Sequence, residues 1–95
     1  MKKLIHILAA LMLTFGAFAD DANEAFARGN ALYKEGRYAE AIEVYEGGLS
    51  ARRVPPALHY NLGNAYYQNG QLARAILHYE RALQLGGKDE EVLHN

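Results

Sequence analysis

Side chains able to do covalent chemistry are scarce in this sequence. Beyond Ala19 it holds one serine, Ser50, and neither threonine nor cysteine, so the hydroxyl and thiol nucleophiles on which acyl transfer depends are nearly missing. His59, His78 and His94 are spread over three predicted helices, and the one pair at ligand-like spacing is Glu90 with His94, at i and i+4. A metal needs more converging ligands than that, and a solvated helix face explains the pair better. The glycines form neither a G-x-x-x-x-G-K loop nor a dinucleotide fingerprint. Glu35, Glu40, Glu43 and Glu46 read most simply as the polar face of amphipathic helices. The expectation is a protein that is not an enzyme and uses no cofactor and no metal.

The elements that would position these residues are set by a repeat of 34 residues. Gly29-Asn30-Ala31-Leu32-Tyr33 returns as Gly63-Asn64-Ala65-Tyr66-Tyr67, Gly36 as Gly70, Ala41-Ile42 as Ala75-Ile76, Tyr45-Glu46 as Tyr79-Glu80 and Leu49 as Leu83. Tyr38, Ala41, Ile42, Tyr45 and Leu49 fall on one helical stripe, and Leu72, Ala75, Ile76, Tyr79 and Leu83 repeat it, so each of these helices is expected to bury that face. Gly36 and Gly70 stand where a helix ends in the left-handed conformation that glycine enters freely. Gly29 and Gly63 lie inside the preceding helices, at a cost of about 1 kcal/mol relative to alanine. Close approach of the partner helix at Ala41 or Ala75, with Ile42 and Ile76 interdigitating, is the expected compensation. Pro55-Pro56 separates the units and opens the next helix. Asp89, followed by Glu90 and Glu91, is suited to cap a fifth helix. Gly47-Gly48 should weaken the last turn of the second helix.

A period of this length marks stacked helix-turn-helix units, and the pattern W-x2-L-G-x2-Y, then A-x3-F, then P is that of the tetratricopeptide repeat (TPR). The second unit reads His59-x2-Leu62-Gly63-x2-Tyr66, then Ala75-x3-Tyr79, with His59 for the leading aromatic and Gly87 for the closing proline. The chain from Ala22 to Asn95 thus resembles the TPR family. The resemblance implies an all-α solenoid: a TPR domain over 20–95, with repeat 1 at about 22–55, repeat 2 at about 56–89 and a third-repeat stub at 90–95. A stack of two repeats and a stub is expected to be marginal, so either the chain is a piece of a longer protein or a partner completes the stack. The first repeat reads as an N-terminal end, with Ala25, Arg28 and Leu32 where the family has W, L and Y.

In TPR proteins the first helix of each pair lines a concave groove. By resemblance the groove-facing residues here are Asn23, Phe26, Asn30, Tyr33 and Lys34, then Ala57, Tyr60, Asn64, Tyr67 and Gln68, with Glu91 and His94 from the stub. Asn30 and Asn64 match the asparagines with which clamp-type members hold a peptide backbone or terminal carboxylate. Phe26 and Tyr60 stand where such clamps carry cations, which argues against a chaperone-tail clamp. An aromatic groove with two amides is better matched to an extended or helical apolar peptide. Alternatively Tyr33 and Tyr67, or Phe26 and Tyr60, pack between repeats, and mixed roles with wet hydroxyls suit tyrosine.

Ahead of the repeats, Lys2-Lys3, an apolar run from Leu4 to Phe15 and Ala17-Phe18-Ala19 read as a signal peptide over 1–19, with cleavage expected before Asp20. The alternative is an uncleaved anchor, but the run is shorter than the roughly 20 residues a bilayer helix needs. Loss of Lys2 and Lys3 from ten cations leaves eight against eleven acidic residues, one small acidic domain with no basic stripe for nucleic acid. Without cysteine, export brings no disulfide. The runs Leu58–Tyr67, Ala75–Leu83 and Asp89–Asn95 further resemble the TPR proteins of bacterial Bat aerotolerance operons, although much of them is general TPR consensus. That resemblance implies a periplasm-facing assembly partner in a cell-envelope complex.

Overall fold

The structure is a computed structural model that describes residues 22–86. The leader, the Asp89 cap and the stub residues Glu90, Glu91, Val92, Leu93, His94 and Asn95 lie outside the described residues. The rest is the all-α architecture expected: α1 (Ala22–Lys34), α2 (Tyr38–Gly47), α3 (Pro56–Gln68) and α4 (Leu72–Gln84), with a 3-10 turn at Gly48–Ser50. α1 packs on α2 and α3 on α4, while α3 also packs on α2 and, more lightly, on α1. Both helix starts are offset by the sequence period, from 22 to 56 and from 38 to 72.

The turns inside the two hairpins share one backbone geometry. Gly36 and Gly70 have φ of 76° and 79°, a region in which a β-carbon would be strained. Gly36 N–H donates to the Tyr33 carbonyl at 2.9 Å and Arg37 N–H to Leu32 at 3.0 Å; Gly70 and Gln71 do the same to Tyr67 and Tyr66, at 3.0 and 2.8 Å. These paired bonds satisfy carbonyls that the last helical turn would leave open. Between the repeats, Pro55 caps α3 in an extended conformation and Pro56 opens it, where its missing N–H costs nothing.

The core runs through both hairpins: Ala41, Tyr45, Leu58, Leu62, Ala65 and Ala75 are fully buried, joined by Ile42 and Tyr66. Phe26, Leu32, Tyr33, Leu49, Val54 and Tyr79 pack against them. Each buried Leu contributes on the order of 1.5–3 kcal/mol.

Three sequence expectations change here. Gly29 and Gly63 do mark close approaches, but the intruder is a tyrosine ring: a β-carbon on Gly29 would overlap the Tyr45 ring, and one on Gly63 would lie 2.6 Å from Tyr79 Cε1 and 3.2 Å from the Ala75 carbonyl oxygen. Second, the isoleucines do not act alike. Ile42 is buried, whereas Ile76 is 49% exposed, with Leu72 at 58% and Leu83 at 39%. The stripe on α2 is covered by α3, while no helix follows α4 among the described residues, so of the matching stripe on α4 only Ala75 is fully buried. Third, α2 does stop early at Gly47, but Gly48 has a packing role. A β-carbon there would meet Ala25 Cβ at 2.7 Å and Leu58 Cδ2 at 3.1 Å, so the bare backbone lets the 3-10 turn wedge between α1 and α3.

Candidate functional site

α1 and α3, the first helices of the two hairpins, present their side chains to a common cavity of about 290 Å³ lined by Asn30, Tyr33 and Lys34 from α1, Tyr45 from α2, and Asn61 and Asn64 from α3. Each asparagine is oriented by a tyrosine fifteen residues on: Tyr45 hydroxyl donates to Asn30 Oδ1 at 2.5 Å, and Tyr79 hydroxyl to Asn64 Oδ1 at 2.6 Å. Asn61 Nδ2 also donates to Asn30 Oδ1, at 2.8 Å, tying α3 to α1. With the amide oxygens so engaged, Asn30 and Asn64 each keep an NH2 group, a donor suited to carbonyl or carboxylate oxygen.

Burial keeps the phenols neutral. It pushes Tyr45 up to about 12, with Tyr33 adding and the hydrogen bond from Asn61 opposing. Burial likewise raises Tyr33, with Tyr38 and Tyr60 adding and a hydrogen bond from Gln68 opposing. Tyr79 is raised by burial first and then by Tyr60, Tyr33 and Tyr67. At neutral pH the Tyr45 and Tyr79 hydroxyls therefore remain donors that hold the asparagine oxygens in place.

Residues 26–90 match the family model of the tetratricopeptide repeat. The chain belongs to the TPR family. TPR repeats generally mediate protein–protein interaction rather than catalysis. No curated relative matches the chain.

Of the residues assigned to the groove from sequence, Asn30, Tyr33, Lys34 and Asn64 line this TPR cavity. Tyr60 sits beside it, its ring 5.7 Å from that of Tyr79, and Gln68 bonds to Tyr33. Tyr67 is 58% exposed, while Phe26 is half-buried against the core. Ala57 and Asn23 are exposed, and Asn23 lines a separate cavity with Arg52 and Arg53. Two lining residues escaped the sequence reading. Tyr45 had been placed on the buried stripe, where its ring does lie, but its hydroxyl passes through to the cavity side. Asn61 had no assigned role; its spacing of 31 from Asn30 was the available signal.

A second polar cluster was also missed. His59 and His78, on separate helices with unremarkable spacing, meet with Nδ1 atoms 3.0 Å apart and rings stacked at 5.2 Å. They are 7% and 4% exposed. Among the described residues no group of three metal-ligating side chains forms.

Proposed function

We propose that this TPR chain is a non-enzymatic scaffold that binds a peptide or protein partner in the α1/α3 groove. The observation that carries the reading is the pair of tyrosine-oriented asparagines. A peptide backbone offers carbonyl acceptors, and two fixed NH2 groups meet them with little ordering cost, because Tyr45 and Tyr79 have already immobilised Asn30 and Asn64. Tyr33, Tyr60 and Tyr67 supply aromatic contact area, and Lys34 at the rim favours an acidic neighbour on the partner.

The setting we infer is the periplasmic side of the cell envelope, in a Bat-type aerotolerance complex. The leader over 1–19 and the resemblance of the repeats to the TPR proteins of those operons support it. The test is capture from an envelope extract with the parent and with a Lys34→Ala, Tyr67→Ala variant, both positions being exposed. Loss of the captured partner on substitution supports the groove; full retention removes it.

A second reading has an observation of its own. Leu72, Ile76 and Leu83 leave an apolar stripe on α4 open, as an assembly module that stacks on another subunit would need. If Leu72→Gln, Ile76→Gln abolishes capture while the groove variant retains it, stacking is the function.

A further inference from the structure

α3 and α4 touch through two successive rungs. One is Tyr60 with Tyr79, which supports the groove through the bond from Tyr79 to Asn64; the preceding residue on each helix forms the other, His59 with His78. We propose that the histidine rung is an acid-sensitive clasp, closed with no proton or one proton added and opened by a second, and that its opening loosens the tyrosine rung beside it.

The chemistry follows from the contact. At 3.0 Å between Nδ1 atoms one nitrogen must donate and the other accept. His78 Nε2 lies 3.6 Å from Glu46 Oε1, so its proton belongs on Nε2, facing the carboxylate, and its Nδ1 accepts from His59 Nδ1–H. A first added proton goes to His59 Nε2 and leaves the Nδ1–H···Nδ1 bond intact. A second has only His78 Nδ1 to occupy, which sets two N–H groups and two positive charges against each other.

Charged and titratable groups face the rung from every helix packed on it. Glu46 of α2 favours the charged form, and also accepts from the Tyr66 hydroxyl of α3 at 2.6 Å. Tyr66 stacks on His78 at 5.5 Å, and Arg74 of α4 lies over the Tyr66 ring at 5.8 Å. Arg81 of α4 lines a cavity of about 330 Å³ together with His59 and opposes protonation. Burial, the largest influence, holds both rings below their ordinary 6.5. A fold that binds the proton less well than the unfolded chain loses stability as pH falls, so the clasp stabilises fully above about pH 6.5 and progressively less below it.

The first repeat has Ala25 and Val44 at the matching positions, so the fold accepts apolar residues there. The consequence for ligand binding rests on the groove reading above, but the test needs no ligand. The histidine and tyrosine ring signals of the full chain are followed by NMR from pH 8 to pH 4.5, with His59→Gln and His78→Gln variants to assign them. Both His rings should titrate below 6.5 as an interdependent pair, each single variant moving the other's midpoint, and the Tyr60 and Tyr79 rings should shift with the second step. Thermal melts of the parent should fall between pH 8 and pH 5 by about 5 °C or more beyond those of a His59→Leu, His78→Phe variant. Independent titration at the ordinary value, or equal pH dependence of the two melts, overturns the clasp. Tyrosine signals that stay fixed while the histidines titrate overturn its coupling to the groove.

Discussion

The ring of Tyr79 lies across Gly63, filling the space a β-carbon would need, while its hydroxyl donates to Asn64, the next residue. Glycine inside α3 is therefore the seat of the ring that orients the amide. Gly63→Ala gains about 1 kcal/mol of helix propensity but must displace a ring already held by Tyr60 and Asn64. Overpacking of this kind costs about 1–3 kcal/mol. The expected net result in urea unfolding is destabilisation, together with a shift of the Asn64 side-chain amide signals; a stabilised variant contradicts the seat.

Two adjacent glycines should respond oppositely to one substitution. A β-carbon on Gly47 meets nothing within 4 Å, whereas one on Gly48 runs into Ala25 and Leu58. Gly47→Ala should raise stability by about 0.5–1 kcal/mol through helix propensity. Gly48→Ala should lower it by about 1 kcal/mol or more. Thermal melts of the two single variants decide the matter.

Much of this was legible in the sequence because the repeat presents each feature twice. The hairpin turns at Gly36 and Gly70, the start of α3 at Pro56 and the small residues Ala41 and Ala75 follow from local backbone rules and helical spacing. What periodicity could not supply was which large side chain fills a gap between helices. Gly29 and Gly63 announced a close approach, but not that Tyr45 and Tyr79 would be the neighbours. Periodicity also presumes equal neighbours, and so it misjudged Ile76, whose counterpart Ile42 is covered by α3. The two histidines gave no sign at all, because a contact between α3 and α4 depends on how the hairpin closes and not on their separation of 19 positions in the chain.

The two isoleucines therefore carry a quantitative contrast. Ile42→Ala should cost about 2–4 kcal/mol, as cavity-forming core substitutions do. Ile76→Ala, on the open stripe, should change stability by less than about 1 kcal/mol. Equal losses in chemical unfolding would mean that α4 is as well covered as α2.

At high pH the order of loss is set by the buried phenols. Tyr45, pushed from 10.0 up to about 12 by burial, keeps its proton more tightly folded than unfolded. Its contribution is complete below pH 10 and is lost as pH rises from 10 toward 12. Tyrosinate absorbance should show Tyr45 as a late-ionising group, and Tyr45→Phe should flatten the alkaline fall in stability between those limits. It should also cost about 0.5–1.5 kcal/mol at pH 7 for the lost bond to Asn30.

The Gly-Asn pair and the tyrosine fifteen residues beyond Asn behave as a single heritable unit. Glycine admits the ring, the ring carries the hydroxyl to the amide, and the amide gains a fixed orientation only if both others are in place. Loss of any one removes the reason for keeping the remaining two, so selection should see the three positions together. In divergent repeats they should be retained or abandoned as a set, Gly29, Asn30 and Tyr45 in one and Gly63, Asn64 and Tyr79 in the other. A repeat that keeps glycine and asparagine after losing its tyrosine would have to find another use for both.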